Sequence, residues 1–103
     1  MGLSRARDMR SGNDIKEQCE FVFRDTKTNL EDTMATYCLG FMRAILFTGE
    51  YLEAQYRFYT PVGVTINQGV SVFLKYVNAN PEYTHLSAEA VAVTAFRKAW
   101  PCQ

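Results

Sequence analysis

Residues 65–77 constrain the fold more tightly than any other part of the chain. Ile66, Val70, Phe73, Leu74 and Val77 recur at i, i+4, i+7, i+8 and i+11, the spacing that lines one side of an α-helix. Thr65 precedes the stripe as an N-cap, with Gln68 three residues later and Val64 before the cap, so start signal and stripe agree. Asn78, Asn80 and Pro81 end the pattern and open a polar loop to about Leu86, because a proline restricts its predecessor away from helix. A helix with one apolar side needs apolar partners to cover it.

The rest of the chain supplies them at the same period. Thr28 and Glu31 have capping-box spacing ahead of Leu30, Met34, Tyr37, Cys38, Phe41 and Ile45, which predicts the longest helix with this stripe facing inward. Gly40 in its middle costs about 1 kcal/mol relative to Ala, which fits either a close approach by another backbone or ring, or a glycine the helix tolerates. Gly49 offers a left-handed end, although residues 50–57 hold enough helix formers to continue. Asp14 and Glu17 predict a capping box for a shorter helix over residues 15–24, with Ile15, Cys19, Val22 and Phe23 on one side. Ser87 caps a last helix whose inward residues are Leu86, Val91, Ala95, Phe96 and Ala99, with Glu89 in its first turn and Arg97 and Lys98 in its last, as the helix dipole favours.

These elements predict an all-α fold, a small antiparallel bundle of four to five helices. A chain of 103 residues has room for one core, and residues 14–103 are read as a single helical domain. Residues 1–13, with Arg5, Arg7 and Arg10 and no apolar pattern, read as a disordered tail or an expression remnant. Between the second and third helices Phe47, Tyr51, Tyr56, Phe58 and Tyr59 crowd together. Such a cluster fits a core or a subunit contact, and Phe47, Tyr51, Tyr56 and Phe58 are candidate homodimer contacts. A strand over residues 55–64 suits the aromatic and β-branched content, but Pro61 and Gly63 oppose a long one.

Several function classes are disfavoured. Eleven Lys and Arg balance eleven Asp and Glu, so no net field draws in nucleic acid or an anionic membrane. No apolar run reaches the roughly 20 residues needed to span a bilayer, and residues 1–13 offer a basic start without the apolar stretch of a secretory signal. His85 is the single histidine, and the chain lacks Cys-x-x-Cys or His-x-x-x-His spacing, so neither a metal nor another cofactor is expected. A thiol paired with His85 would be needed for nucleophilic catalysis, but no cysteine lies in an activating sequence context. The chain is therefore not expected to be an enzyme. Cys19, Cys38 and Cys102 allow at most one internal disulfide; the alternative is three reduced, buried side chains.

Four ordered segments carry a resemblance. Tyr37-Cys38-Leu39-Gly40-Phe41, Pro61-Val62-Gly63-Val64-Thr65 with Gln68, Tyr76 ahead of Asn80-Pro81-Glu82, and Ala99-Trp100-Pro101-Cys102 together resemble the Tai/Rap (resistance-associated protein) family of type VI secretion immunity proteins. The likeness runs from about Cys19 to Cys102. It implies a small helical protein of the bacterial periplasm that binds and inhibits a peptidoglycan-cleaving amidase effector, and that forms a homodimer in several members. It also implies that the loop between the last two helices enters the amidase's catalytic groove, which here assigns Asn78, Asn80, Pro81, Glu82, Tyr83, Thr84 and His85 to the effector-binding site. Tyr59 stands where that family commonly has a cysteine. The resemblance then leaves Cys102 without its partner and Cys19 with Cys38 as the surviving bridge. The competing expectation is a dimeric helical scaffold or adaptor domain without an inhibitory role.

Overall fold

The computed structural model describes residues 11–102. The tail assigned to residues 1–13 lies outside the described residues as far as Arg10. The described chain forms four helices, α1 (Gly12–Glu20), α2 (Asn29–Thr48), α3 (Ile66–Ala79) and α4 (Ala88–Ala99), with 3-10 turns at Gly49–Tyr51 and Pro81–Tyr83. Strand pairing among the described residues is confined to isolated bridges, Ser11 with Ser87 and Phe58 with Pro101, so the class is all-α. α1 packs on α2, α2 on α3, α3 on α4 and α4 back on α1, with weaker contacts across the diagonals. The result is a four-helix bundle around Ile15, Met42, Val70, Phe73 and Phe96.

Three helices begin where the capping residues place them. The Thr28 hydroxyl accepts the Glu31 N–H and the Glu31 carboxylate accepts the Thr28 N–H, both at 3.1 Å. Thr65 accepts from the Gln68 N–H at 3.0 Å and Ser87 from the Ala90 N–H at 3.2 Å. α1 differs. Its cap is Ser11, whose hydroxyl accepts the Asp14 N–H at 3.2 Å while the Asp14 carboxylate accepts the Ser11 N–H at 3.1 Å. Asp14 is thus the reciprocal member of the box rather than its start, and the helix opens three residues before Ile15. It also closes early, at Glu20, because the Phe21 and Val22 N–H groups turn back to the Gln18 and Cys19 carbonyls in tighter i→i+3 bonds.

α2 is rotated from its expected setting. Ala35, Cys38, Met42 and Leu46 face inward, whereas Leu30 is 69% and Tyr37 48% exposed. Apolar side chains encircle most of this helix, so periodicity alone does not choose a side. The Cys19–Cys38 disulfide, fully buried between α1 and α2, and the seating of Leu46 against Gly69 of α3 make the choice. Gly40 faces open space, with nothing within 4 Å of an added Cβ, so the tolerated glycine is the one observed. Gly49 is not left-handed, at φ −55°; a side chain there would collide with the ring of Phe58. In α4, Ala88 and Ala92 join Val91, Ala95 and Phe96 inside, while Leu86 and Ala99 are exposed.

The aromatic segment between α2 and α3 is divided by this packing. Phe58 is fully buried, 5.5 Å from Phe96 between ring centroids, and Phe96 stacks on Trp100 at 5.8 Å. Phe58 is therefore a core residue of its own chain and is not available as a dimer contact. Phe47, Tyr51 and Tyr56 are exposed. The strand considered for residues 55–64 reduces to the single Phe58 bridge, flanked by the Tyr59 N–H donating to the Trp100 carbonyl at 3.2 Å. Tyr59 and the end of α4 thus meet, and Cys102 is left as an exposed free thiol.

Candidate partner-binding loop

The connection from α3 to α4 is held at both ends and from behind. At its start the Asn80 backbone N–H and side-chain amide both donate to the Tyr76 carbonyl, at 3.0 and 2.9 Å, which pins Asn80 to the last turn of α3. Pro81 then opens the 3-10 turn with its φ already fixed. The Thr84 hydroxyl donates to the Pro81 carbonyl at 3.0 Å and the Leu86 N–H to the Tyr83 carbonyl at 3.1 Å. From behind, the first two N–H groups of α1 donate into the loop: Gly12 to the Leu86 carbonyl and Asn13 to the Thr84 carbonyl, both at 2.8 Å.

This anchoring sorts the residues named from the sequence. Pro81, Glu82, Tyr83, His85 and Leu86 are exposed. Thr84 is buried and serves the loop's internal bonding, so its side chain does not face outward with the rest. Asn78 is exposed but belongs to the last turn of α3. The outward set combines two rings, one carboxylate and an aliphatic side chain, a mixture suited to contact with another protein.

A shallow apolar groove of about 250 Å³ adjoins the loop, lined by Tyr76, Tyr83, Leu86, Ala90, Val91 and Thr94. Its floor, Ala90 and Thr94, continues into a second hollow of about 270 Å³ under Leu52 and Tyr56. Tyr56 thus stands over α4 rather than with Phe47 and Tyr51. Burial, then the neighbouring Tyr83 and Glu82, hold the Tyr76 hydroxyl above the ordinary tyrosine pKa, so it remains a neutral donor beside the groove.

The pairing of Cys38 with His85 loses its thiol. Cys38 is consumed in the disulfide and buried, so it cannot act as a thiolate with His85. Among the described residues no cluster of His, Cys, Asp or Glu is placed to hold a metal, and no helix is long and apolar enough to cross a membrane.

Sequence reasoning missed the groove and the clamp. Ala90 and Thr94 carry no motif, and their role comes from what flanks them. The basic composition places Ser11, Gly12 and Asn13 in the tail, although Ser11 and Asp14 have the Ser-x-x-Asp spacing that marks a helix start. No curated protein and no solved structure matches the chain significantly. A family model described as Rap1a immunity proteins matches residues 11–102, beginning at the cap of α1 and ending beyond the Phe58–Pro101 bridge. The chain therefore belongs to the Rap1a immunity protein family.

Proposed function

We propose that this immunity protein binds a peptidoglycan-cleaving amidase effector delivered by a type VI secretion system, and inhibits it stoichiometrically by inserting residues 80–86 into its catalytic groove. The observation that carries the reading is the loop itself, which presents Tyr83 and His85 outward on a backbone fixed by hydrogen bonds to α1 and α3. A loop held in one shape before contact loses little further entropy on binding. The periplasm is the proposed compartment, supported by the buried Cys19–Cys38 disulfide, since such bonds persist in oxidising surroundings.

The test uses purified type VI amidase effectors as candidate partners. Replacing residues 80–85 by a Gly/Ser linker removes the loop's contacts but also the Asn80 bond and Pro81. Truncating only the exposed Tyr83 and His85 to Ala keeps the anchored backbone. The double truncation is expected to weaken inhibition by roughly 100-fold, the effect of losing interface anchors worth about 2–3 kcal/mol. Unchanged inhibition, with an unchanged melting temperature, would remove the loop from the mechanism.

The homodimer is proposed through the outer side of α2. Leu30, Tyr37 and Phe47 are exposed on this helix, and Tyr51 follows in the adjoining turn. From Tyr37 through Gly40, Ala44 and Phe47 to Tyr51 the steps alternate three and four, the spacing of a helix-pairing seam, and Leu30 lies seven residues before Tyr37. α2 and α4 are diagonal partners in the bundle, so pairing through α2 leaves the loop and groove free for the effector. Light scattering should report a dimer that Phe47→Glu converts to monomer without loss of helical signal. A monomeric parent chain would end this part of the proposal and, with inhibition intact, would also dispose of the scaffold reading.

A further inference from the structure

The N-terminus of an α-helix leaves its first N–H groups without intrahelical acceptors. In α1 two of them are committed to one distant segment, Gly12 to the Leu86 carbonyl and Asn13 to the Thr84 carbonyl, each at 2.8 Å. Ser11, the cap, adds a bridge to Ser87. The start of the first helix therefore holds the backbone of the 81–87 segment, while the Tyr83 and His85 side chains are exposed.

The fit depends on the absence of a side chain at position 12. A Cβ there would lie 2.8 Å from the Thr84 carbonyl oxygen, 3.0 Å from Val91 Cγ2 and 3.3 Å from Val91 Cβ. Val91 is a core residue of α4 with little room to retreat. The Thr84 oxygen is backbone and moves only if the loop moves with it. Gly12 has helical geometry, so its requirement is space rather than an unusual backbone angle.

We infer that Gly12 is a positioning residue for effector recognition: α1 acts as a clamp that fixes residues 80–86 in their binding shape, and any side chain at position 12 pushes the loop off it. The inference rests on the loop reading given above and names the element that enforces it. Gly12 itself is buried behind the loop, so its influence on a partner passes through the Thr84 and Leu86 carbonyls.

Gly12→Ala is compared with Leu46→Val, which thins the α2–α3 packing at Gly69 and leaves the α1–loop bonds untouched. Amide hydrogen exchange at Asn13 and binding kinetics with a purified type VI amidase effector are the readouts. Gly12→Ala should accelerate Asn13 exchange and weaken binding by roughly tenfold, the cost of ordering about two side chains on contact. Leu46→Val, at equal or greater loss of melting temperature, should change neither. If Gly12→Ala keeps Asn13 protection and binds as Leu46→Val does, the clamp is refuted. If the parent chain itself fails to bind the amidase, the amidase reading falls, and the exchange comparison alone decides whether Gly12 holds the loop.

Discussion

Phe58→Ala should cost about 3–5 kcal/mol of stability, the range for emptying a buried phenylalanine site. The ring is fully buried between Gly49, whose missing side chain makes room for it, and Phe96, which stacks in turn on Trp100. Three separate segments lean on it: the end of α2, the loop before α3 and the end of α4. Little of the cavity can collapse, because the Phe58–Pro101 bridge and the Tyr59 to Trp100 hydrogen bond fix the backbone on either side. Urea unfolding followed by circular dichroism measures the loss as a shift in midpoint at similar slope. A loss below about 1 kcal/mol, the ordinary value for an arbitrary substitution, would contradict this account of the core.

Removal of the disulfide should have the next largest effect. Cys19 and Cys38 are 19 residues apart, and a closed loop of that size contributes about 3 kcal/mol in the chain-entropy model. For a domain near 100 residues that corresponds to a fall of roughly 12–24 °C in melting temperature. Because both sulfurs are buried, a reductant acts only when the domain opens, so the paired Cys19→Ala and Cys38→Ala chain is the cleaner comparison. α1 has nine residues, too few to persist as an isolated helix, and the bridge is a covalent cross-link to α2 beyond the connecting chain. Its amides should lose protection first. On the loop reading proposed above, the double variant should also bind effector less tightly, since the loop's backing goes with α1. Equal stability of the two chains would show that α1 is held by packing alone.

The helix starts and the loop between α3 and α4 were legible in the sequence because they depend on neighbours. Thr28, Thr65 and Ser87 each act on a backbone group three residues away, and Asn80-Pro81 ends α3 by local geometry. The rotation of α2 was not legible: Leu30, Tyr37 and Phe41 compete with Ala35, Met42 and Leu46 for the inside, and the outcome depends on Cys19 and Gly69, which lie on other helices. Phe58 has no periodic companions, so nothing near it in the chain marks it as core. Ser11 was hidden for a different reason. It adjoins a segment with Arg5, Arg7 and Arg10 that resembles a solvated tail, while its cap on Asp14 and its pairing with Ser87 place it inside the domain.

The bonds from α1 to the loop join main chain to main chain, and they ask nothing of the side chains at positions 82, 83 and 85. On the loop reading proposed above, an arms race between toxin and protector would rewrite these three positions without rebuilding the frame that displays them. The frame itself is unforgiving at one place, a glycine buried behind the loop. Diversity is expected at the tip, with invariance beneath it.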